Sequence, residues 1–176
     1  MIIENYTNNA GQVTSNFAPS FQTNTLQNVS SGLNFVSEFS APVKRVVDGD
    51  TFVYTRDGHD HTVRLNGVDT PEIKDPRKPV QCFGKEASAK TKELIEGKVV
   101  YFQKDSHQTL DKYGRELWNI YLEDGTFVNK TLVAEGYAFA TPQYESDYIE
   151  EFVNLEKEAR IQGEGLWNES ICKYQN

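Results

Sequence analysis

The stretch VKRVVDGDTFVYTRDGHDHTVRL, residues 43–65, has the pattern of three consecutive β-strands. Residues 43–47 form the first predicted strand, which stops at an Asp-Gly pair typical of tight turns. β-Branched and aromatic residues begin a second strand at residues 51–54, and another Asp-Gly pair precedes a third strand at residues 61–65. Because the turns are short, the stretch predicts a three-stranded meander.

Two further strands and three helices are predicted after this meander. Residues 83–96 are rich in Ala, Glu and Lys and predict a helix that ends at a glycine. Strands follow at residues 98–103 and 117–122, and apolar residues at helical spacing predict two helices around residues 128–136 and 152–159. Five short strands with attached helices predict an α+β fold, a five-stranded Greek-key barrel of the OB type.

The first 40 residues differ in composition from the rest of the chain. They contain no Lys or Arg, and 20 of the 40 are Ser, Thr, Asn or Gln, so they predict a polar, flexible N-terminal arm over residues 1–40. A single domain over residues 41–170 and a C-terminal tail over residues 171–176 are expected to follow. The arm also contains four phenylalanines that are unusual in a linker and leave docking on the domain open: Phe17, Phe21, Phe35 and Phe39.

The formal net charge of −8 argues against broad electrostatic attraction to nucleic acid or to anionic lipid. If nucleic acid is the partner, local positive charge or a cation bound among carboxylates must offset the overall sign. The sequence contains no uninterrupted apolar run of about 18 residues, so no membrane span is predicted.

The two cysteines, Cys82 and Cys172, are too few for a disulfide-rich scaffold or for a zinc site built of thiolates alone. One disulfide closing a loop of about 90 residues would contribute roughly 4 kcal/mol to stability, while two unrelated thiols are an equally open alternative. No signal peptide is visible, although a chain that has already lost one would look the same.

Three acidic residues at predicted strand ends are candidates for metal chemistry. Asp50 begins the second strand and Asp69 follows the third, so pairing of these strands could bring both carboxylates to one end of the sheet. With the backbone carbonyl of Thr70 they could hold a hard cation such as Ca²⁺. Glu72, stiffened by Pro71, could accept a proton from water or orient it. Taken singly, each of these acids could equally decorate a surface turn.

Two arginines are candidates for phosphate binding. Arg64 lies between apolar neighbours in the third strand, and Arg115 follows a glycine in a polar loop. A guanidinium binds two phosphate oxygens at once, and Lys112 and Tyr113 add a basic and an aromatic group suited to a nucleic acid. In this interpretation Arg64 faces a phosphate while Asp69 and Glu72 face a cation and a water, so they do not form one salt-bridge cluster.

The three histidines suggest no shared ligand set. Their polar neighbours favour solvated turn or edge positions over catalysis for His59, His61 and His107.

These segments together resemble the staphylococcal thermonuclease family over about residues 41–168. Any one of its five blocks is weak evidence, but all five occur in the family's order. They are DGDT at residues 48–51, RLNGVDTPE at 64–72, FGKEA at 83–87, DKYGR at 111–115 and GLW at 165–167.

The resemblance implies a Ca²⁺-dependent, sugar-nonspecific nuclease that acts on DNA and RNA and leaves 3′-phosphate ends. It implies Asp50, Asp69 and the carbonyl of Thr70 as metal ligands, and Glu72 as the general base or water-orienting group. Arg64 and Arg115 would bind the scissile phosphate. The resemblance also implies a second set of residues, which would contact nucleic acid: Lys112, Tyr113 and Tyr144.

The cysteine positions resemble those of secreted relatives in which the two are bonded, so a Cys82–Cys172 disulfide and a secreted or cell-surface location are expected. A monomer without an obligate protein partner is expected as well. Two other functions stay open: a catalytically silent OB-fold module that binds nucleic acid, and a surface protein whose arm carries the main function.

Overall fold

A computed structural model of the chain describes residues 35–73 and 80–172, which form a closed five-stranded barrel with three helices. The strands in chain order are β1 (Phe39–Asp48), β2 (Thr51–Arg56), β3 (His59–Leu65), β4 (Val68–Asp69), β5 (Val99–Gln103), β6 (Glu116–Tyr121) and β7 (Phe139–Ala140). The helices are α1 (Gly84–Ile95), α2 (Val128–Ala134) and α3 (Ile149–Gln162), and Gly165–Trp167 adds one 3-10 turn. The predicted α+β barrel is confirmed.

The order of the strands around the barrel is β1-β2-β3-β6-β5. The predicted meander is present, because β2 pairs with both β1 and β3 in antiparallel register. Asp57 and Gly58 both have positive φ at the turn between β2 and β3, as a tight type I′ hairpin requires. This turn sets the register that places Thr51 opposite Arg64.

Strand β1 closes the barrel because it pairs with two strands, β2 and β5. Its first half pairs with β5, and its second half pairs with β2. Register shifts after Val43 and Val46 mark bulges, which bend a strand and increase its twist. Parallel pairing of β3 with β6 completes the ring. The short strands β4 and β7 form a separate antiparallel pair beside the barrel.

The core fills the barrel and continues beneath the helices. Its largest fully buried side chains come from strands and helices alike: Tyr54, Phe52, Phe102, Phe152, Leu65, Ile95, Ile120, Leu132 and Leu166. Strand β5 buries alternate residues and β2 buries four in succession, while α2 and α3 each turn one side toward the core. Within residues 35–73 and 80–172, no helix is both long enough and apolar enough to span a membrane.

Structured contacts begin before the predicted boundary at residue 41. Most of the proposed arm, including Phe17 and Phe21, lies outside the described residues. Phe35, however, stacks on Tyr121 with 4.1 Å between ring centroids, and Phe39 begins β1. At the other end Cys172 is buried, and residues 173–176 of the proposed tail lie outside the described residues.

Candidate active site

The ends of β2, β3 and β4 bring Asp50, Arg64 and Asp69 into contact. Arg64 lies opposite Thr51 in the β2–β3 register, and the amide of Leu65 donates to the Asp50 carbonyl at 2.8 Å. The Arg64 guanidinium forms ion pairs with the carboxylates of Asp50 and Asp69, at 2.5 Å for Asp69. The structure therefore brings both carboxylates together at Arg64, at one end of the sheet.

The contact between Arg64 and the carboxylates corrects one expectation. The sequence interpretation kept Arg64 apart from Asp69, whereas the structure joins them in one salt-bridge cluster. The physical reason is burial: the Arg64 side chain is only 16% exposed, and a charge removed from water needs opposite charge and hydrogen-bond acceptors. Burial disfavours the charged guanidinium, but Asp50 and Asp69 outweigh it and raise the pKa of Arg64.

Asp50 is buried and fully engaged by its neighbours. Its Oδ2 accepts hydrogen bonds from the Thr70 amide at 2.8 Å and the Thr70 hydroxyl at 3.0 Å. The Thr51 hydroxyl donates to the other oxygen at 2.9 Å. Burial alone would raise the pKa of Asp50, but the Arg64 charge and these donors hold the pKa below its ordinary value. The carboxylate is therefore ionised at neutral pH.

The turn before Asp50 is held by a residue that the sequence reasoning missed. The hydroxyl of Thr91, on α1, donates to the Gly49 carbonyl at 2.5 Å, and Thr91 is completely buried. Gly49 also has no room for a side chain, since a Cβ there would lie 2.6 Å from the Thr70 hydroxyl oxygen. The available sequence signal was the spacing, because Ala87, Thr91 and Ile95 recur every four residues and so lie on one face of α1.

Asp48 and Glu72 form a second pair of acids beside this cluster. Burial is the largest cause that raises the pKa of Asp48, and the charge of Asp50 and a hydrogen bond with Glu72 add to it. Together they raise the pKa of Asp48 to about 7. The Glu72 backbone is fixed by Gln81, whose side-chain oxygen accepts from the Glu72 amide at 2.7 Å. Sequence reasoning selected Glu72 but used Asp48 only as a turn residue.

The loop before β6 is organised by Asp111. Its Oδ1 accepts from the amides of Tyr113 and Arg115 at 2.8 and 2.9 Å, and its Oδ2 accepts from the Arg115 side chain at 2.6 Å. Arg115 also reaches Thr51, with its Nη1 3.4 Å from the hydroxyl oxygen, so the loop is linked to the start of β2. An Asp that caps its own loop is a recognisable local pattern, which the sequence reasoning did not use.

A cavity of about 380 Å³ brings most of the predicted residues together. Its lining includes Arg64, Asp69, Lys112, Tyr113, Arg115 and Tyr144. Tyr113 is 72% exposed and Tyr144 is 54% exposed, so both rings are accessible from solvent. The charge of the cavity lining is balanced. Three cationic side chains are matched by three carboxylates in the lining: Arg64, Lys112 and Arg115 against Asp69, Asp111 and Glu145. Asp50, Thr70 and Glu72 are not part of the lining.

The donor set around Asp50 fits a hard divalent cation. It consists of the carboxylate oxygens of Asp50 and Asp69, with the carboxylates of Asp48 and Glu72 nearby. Calcium and magnesium select such ligands. Arg64 uses the same carboxylate oxygens, so a cation bound there would compete with the guanidinium.

A second group of possible metal ligands, two acids and a histidine, lies outside the lining of the cavity. Asp105, His107 and Asp147 have potential ligand atoms within 4.8 Å of one another, a group that the sequence reasoning did not select. His61 bonds Glu116 at 2.9 Å, and His59 is exposed at the start of β3.

The described part of the chain contains a disulfide between Cys82 and Cys172, which lie 90 residues apart in sequence. The bond connects the segment before α1 with the segment after the 3-10 turn. It therefore ties the region that follows Glu72 to the end of the domain.

Comparison with known proteins gives relatives over most of the chain. The family model described as staphylococcal nuclease homologue matches residues 62–169. The chain is 38% identical over 142 residues to the thermonuclease of Staphylococcus hyicus, covering 79% of this chain and 82% of that protein. It is 41% identical over 126 residues to the thermonuclease of Staphylococcus intermedius, covering 71% and 74%.

A longer relative is the SPbeta prophage-derived endonuclease YokF of Bacillus subtilis (strain 168), 39% identical over 128 residues. That match covers 72% of this chain but only 43% of the endonuclease, so the chain spans less than half of its length. The family match covers more than half of the chain, and the Staphylococcus hyicus match covers most of both proteins. The chain belongs to the staphylococcal nuclease homologue family.

Proposed function

We propose that the protein is a calcium-dependent nuclease that hydrolyses phosphodiester bonds in DNA and RNA and leaves 3′-phosphate ends. Membership of the family and similarity to thermonucleases and endonucleases support a nuclease. The observation that carries the proposal is one cavity lined by two arginines, a lysine, three carboxylates and two accessible tyrosines. Guanidinium groups and aromatic rings are suited to phosphate binding and base stacking, and the nearby carboxylates of Asp50 and Asp69 are suited to a hard cation.

The metal ligands in this proposal are the carboxylates of Asp50 and Asp69 and the carbonyl of Thr70. When bound, a calcium ion would supply positive charge near the phosphate and stabilise the negative charge that grows on it. The balanced charge of the cavity supports this requirement, because its own residues provide no excess of positive charge for a polyanion. Cation binding would also free Arg64 from part of its ion-pair network.

Arg64 and Arg115 are proposed to bind the scissile phosphate. Arg64 is only 16% exposed and Arg115 is 30% exposed, so each guanidinium is held largely out of water, where hydrogen bonds to an anion are strong. Asp111 holds Arg115 through the Nε–H group, which leaves other N–H donors of the Arg115 guanidinium for the phosphate and the leaving oxygen. The two guanidinium groups would thus stabilise charge in the transition state.

Glu72 is proposed to take a proton from the attacking water or to orient it for in-line attack on phosphorus. Its hydrogen bond with Asp48 supports this role, because two neighbouring acids hold a proton between them more readily than an isolated acid. Lys112 and Tyr113 on one loop, and Tyr144 on another, are proposed to contact the nucleic acid. Both tyrosine rings are accessible for stacking on bases.

The remaining proposals concern the whole chain. We propose a secreted or cell-surface protein, supported by the disulfide, since disulfides persist in oxidising compartments. We also propose a polar arm over residues 1–40, a nuclease domain over residues 41–170, a tail over residues 171–176, and a monomer. Light scattering coupled to size exclusion tests the last of these.

Cleavage of single-stranded DNA and RNA in millimolar Ca²⁺, with an EDTA control, tests the proposed function. Glu72→Gln should lower the rate by about 10²–10⁴-fold, the usual contribution of a general base. Glu123→Gln is the matched control, since Glu123 is exposed and does not line the cavity. Phosphatase-sensitive 3′ ends on the products are expected. Metal-independent binding without cleavage would contradict the proposal and support a silent binding module.

A further inference from the structure

Two loops contribute to the lining of the cavity. The 104–115 loop joins β5 to β6, and the 141–148 loop joins β7 to α3. Together they supply most of the cavity's polar lining, including Gln108, Lys112, Tyr113, Arg115, Gln143 and Tyr144. The separation of the two loops therefore sets the space available to a bound nucleotide.

Hydrogen bonds cross directly from one loop to the other. Asp105 Oδ2 accepts from the Ser146 hydroxyl and from the Asp147 amide, both at 3.0 Å. In the reverse direction, the Asp147 carboxylate accepts from the Ser106 amide at 2.9 Å and from the Ser106 hydroxyl. The Asp105 side chain has no exposed surface, so its bonds are shielded from water.

His107 lies between the two carboxylates. Its Nδ1 is 3.0 Å from Asp105 Oδ1 and 3.4 Å from Asp147 Oδ1. The charged groups that face it are Asp105 on its own loop and Glu145 and Asp147 on the opposite loop. A protonated imidazole therefore bridges two like charges that otherwise repel each other across the gap.

We propose that Asp105, His107 and Asp147 form a clasp that holds the two cavity loops together and makes affinity for single-stranded nucleic acid depend on pH. The carboxylate oxygens already accept protein hydrogen bonds, which favours a clasp over a further metal site. This inference rests on the proposed function of the cavity.

The direction of the pH effect follows from the charge of His107. The hydrogen bond to Asp105, followed by the charges of Asp147 and Glu145, raises the pKa of His107 above its ordinary value. Below that pKa the imidazolium pairs with both carboxylates and the clasp is closed. Above it, the neutral ring can still donate from Nδ1 but no longer offsets the two negative charges, so the loops separate more easily and affinity falls.

Binding of a labelled single-stranded oligonucleotide with hydrolysis-resistant phosphorothioate linkages, measured in millimolar Ca²⁺ from pH 5.5 to 8.5, tests the clasp. We expect the Kd of the wild type to rise about five- to tenfold more than that of His107→Asn, which keeps a donor but cannot carry charge. His59→Asn should behave as the wild type, because His59 is exposed and does not line the cavity. Equal pH profiles for the wild type and His107→Asn would overturn the inference.

Asp147→Asn separates the clasp from simple attraction of a polyanion. Removing a negative charge beside the cavity should strengthen binding of nucleic acid if only long-range electrostatics act. The clasp requires the opposite result at pH 5.5, a Kd about five- to tenfold higher than that of the wild type. Tighter binding by Asp147→Asn would therefore overturn the inference.

Two readouts do not depend on nucleic-acid binding. NMR titration of the three histidines should show a lower pKa for His107 in Asp147→Asn than in the wild type. Amide exchange at pH 6 should increase in both loops together in His107→Asn. Unchanged exchange in either loop would overturn the clasp. If the wild type binds no oligonucleotide at any pH while these two results hold, the proposed function fails and the clasp stands.

Discussion

The ion pair between Asp50 and Arg64 is the most deeply buried part of the candidate site, and breaking it should destabilise the fold. The Asp50 side chain is 5% exposed and the Arg64 side chain 16% exposed. Removing one partner of a buried pair leaves the other charge uncompensated, at a cost of about 3–5 kcal/mol. Asp69 remains beside Arg64 in Asp50→Asn, so we expect the lower end, about 3 kcal/mol, for that variant.

Arg64→Gln should cost a similar amount, because Asp50 then keeps only the neutral donors of Thr51 and Thr70. The double variant leaves no uncompensated charge from the pair, so the costs of the two single variants should not add. We expect the double variant to lose about 3–4 kcal/mol, well below the sum of the two single losses. The coupling free energy between the two positions is therefore expected to be about 2–3 kcal/mol.

Urea unfolding at pH 7, followed by tryptophan fluorescence, measures the four free energies. EDTA is included so that metal binding does not stabilise the wild type alone. The matched control is a second cycle on the ion pair between Lys130 and Glu151, which has a short distance of 2.6 Å but side chains 45% and 42% exposed. Its coupling should be about 0–1 kcal/mol. If the Asp50–Arg64 coupling is no larger than this, burial does not govern the cluster and the reasoning is wrong.

Three further predictions concern stability. Reduction of the disulfide between Cys82 and Cys172 should lower the free energy of unfolding by about 4 kcal/mol, since the bond spans 90 residues. Urea midpoints with and without dithiothreitol measure this loss, and equal midpoints would argue against the bond. Thr91→Val should lower the free energy of unfolding by about 1–3 kcal/mol, because the Gly49 carbonyl loses a buried donor. Thr91→Ser keeps the hydroxyl, so a larger loss of thermal stability in the serine variant would contradict this prediction. The pKa of Asp48 is raised in the folded state from 3.8 to about 7, so its ionisation costs stability as pH rises between those values. Asp48→Asn should therefore be more stable than the wild type at pH 8 in EDTA by on the order of 1 kcal/mol, and an unchanged slope of stability against pH would refute this assignment.

The strands and helices could be predicted well because their signals are local. Predicted strands at residues 51–54 and 61–65 correspond to β2 (Thr51–Arg56) and β3 (His59–Leu65), and the helix predicted at residues 83–96 corresponds to α1 (Gly84–Ile95). Turn residues and side-chain periodicity act within a few positions, so the sequence displays them directly. The two-residue strands β4 and β7 were missed, since they exist only through their pairing with each other.

The candidate site was predicted in its residue types but not in its internal contacts. Sequence reasoning selected Arg64, and it expected the side chain to stand apart from Asp69 and face a phosphate. The structure shows that burial draws the guanidinium to both carboxylates. Thr91 was missed for a related reason, because its contact with Gly49 spans 42 residues and depends on how α1 packs against the barrel.

By itself, the sequence determined the positions of the five barrel strands along the chain, the positions of the turns, and a set of charged residues that identifies the family, because all of these are written in short segments. Only the tertiary structure decided which of those charges share a partner. A hydrogen bond joins Asp105 to Ser146 across 41 residues, and the disulfide, which only the family resemblance implied, joins Cys82 to Cys172 across 90. Such contacts depend on the register and closure of the barrel, which bring distant segments together and which no local pattern specifies.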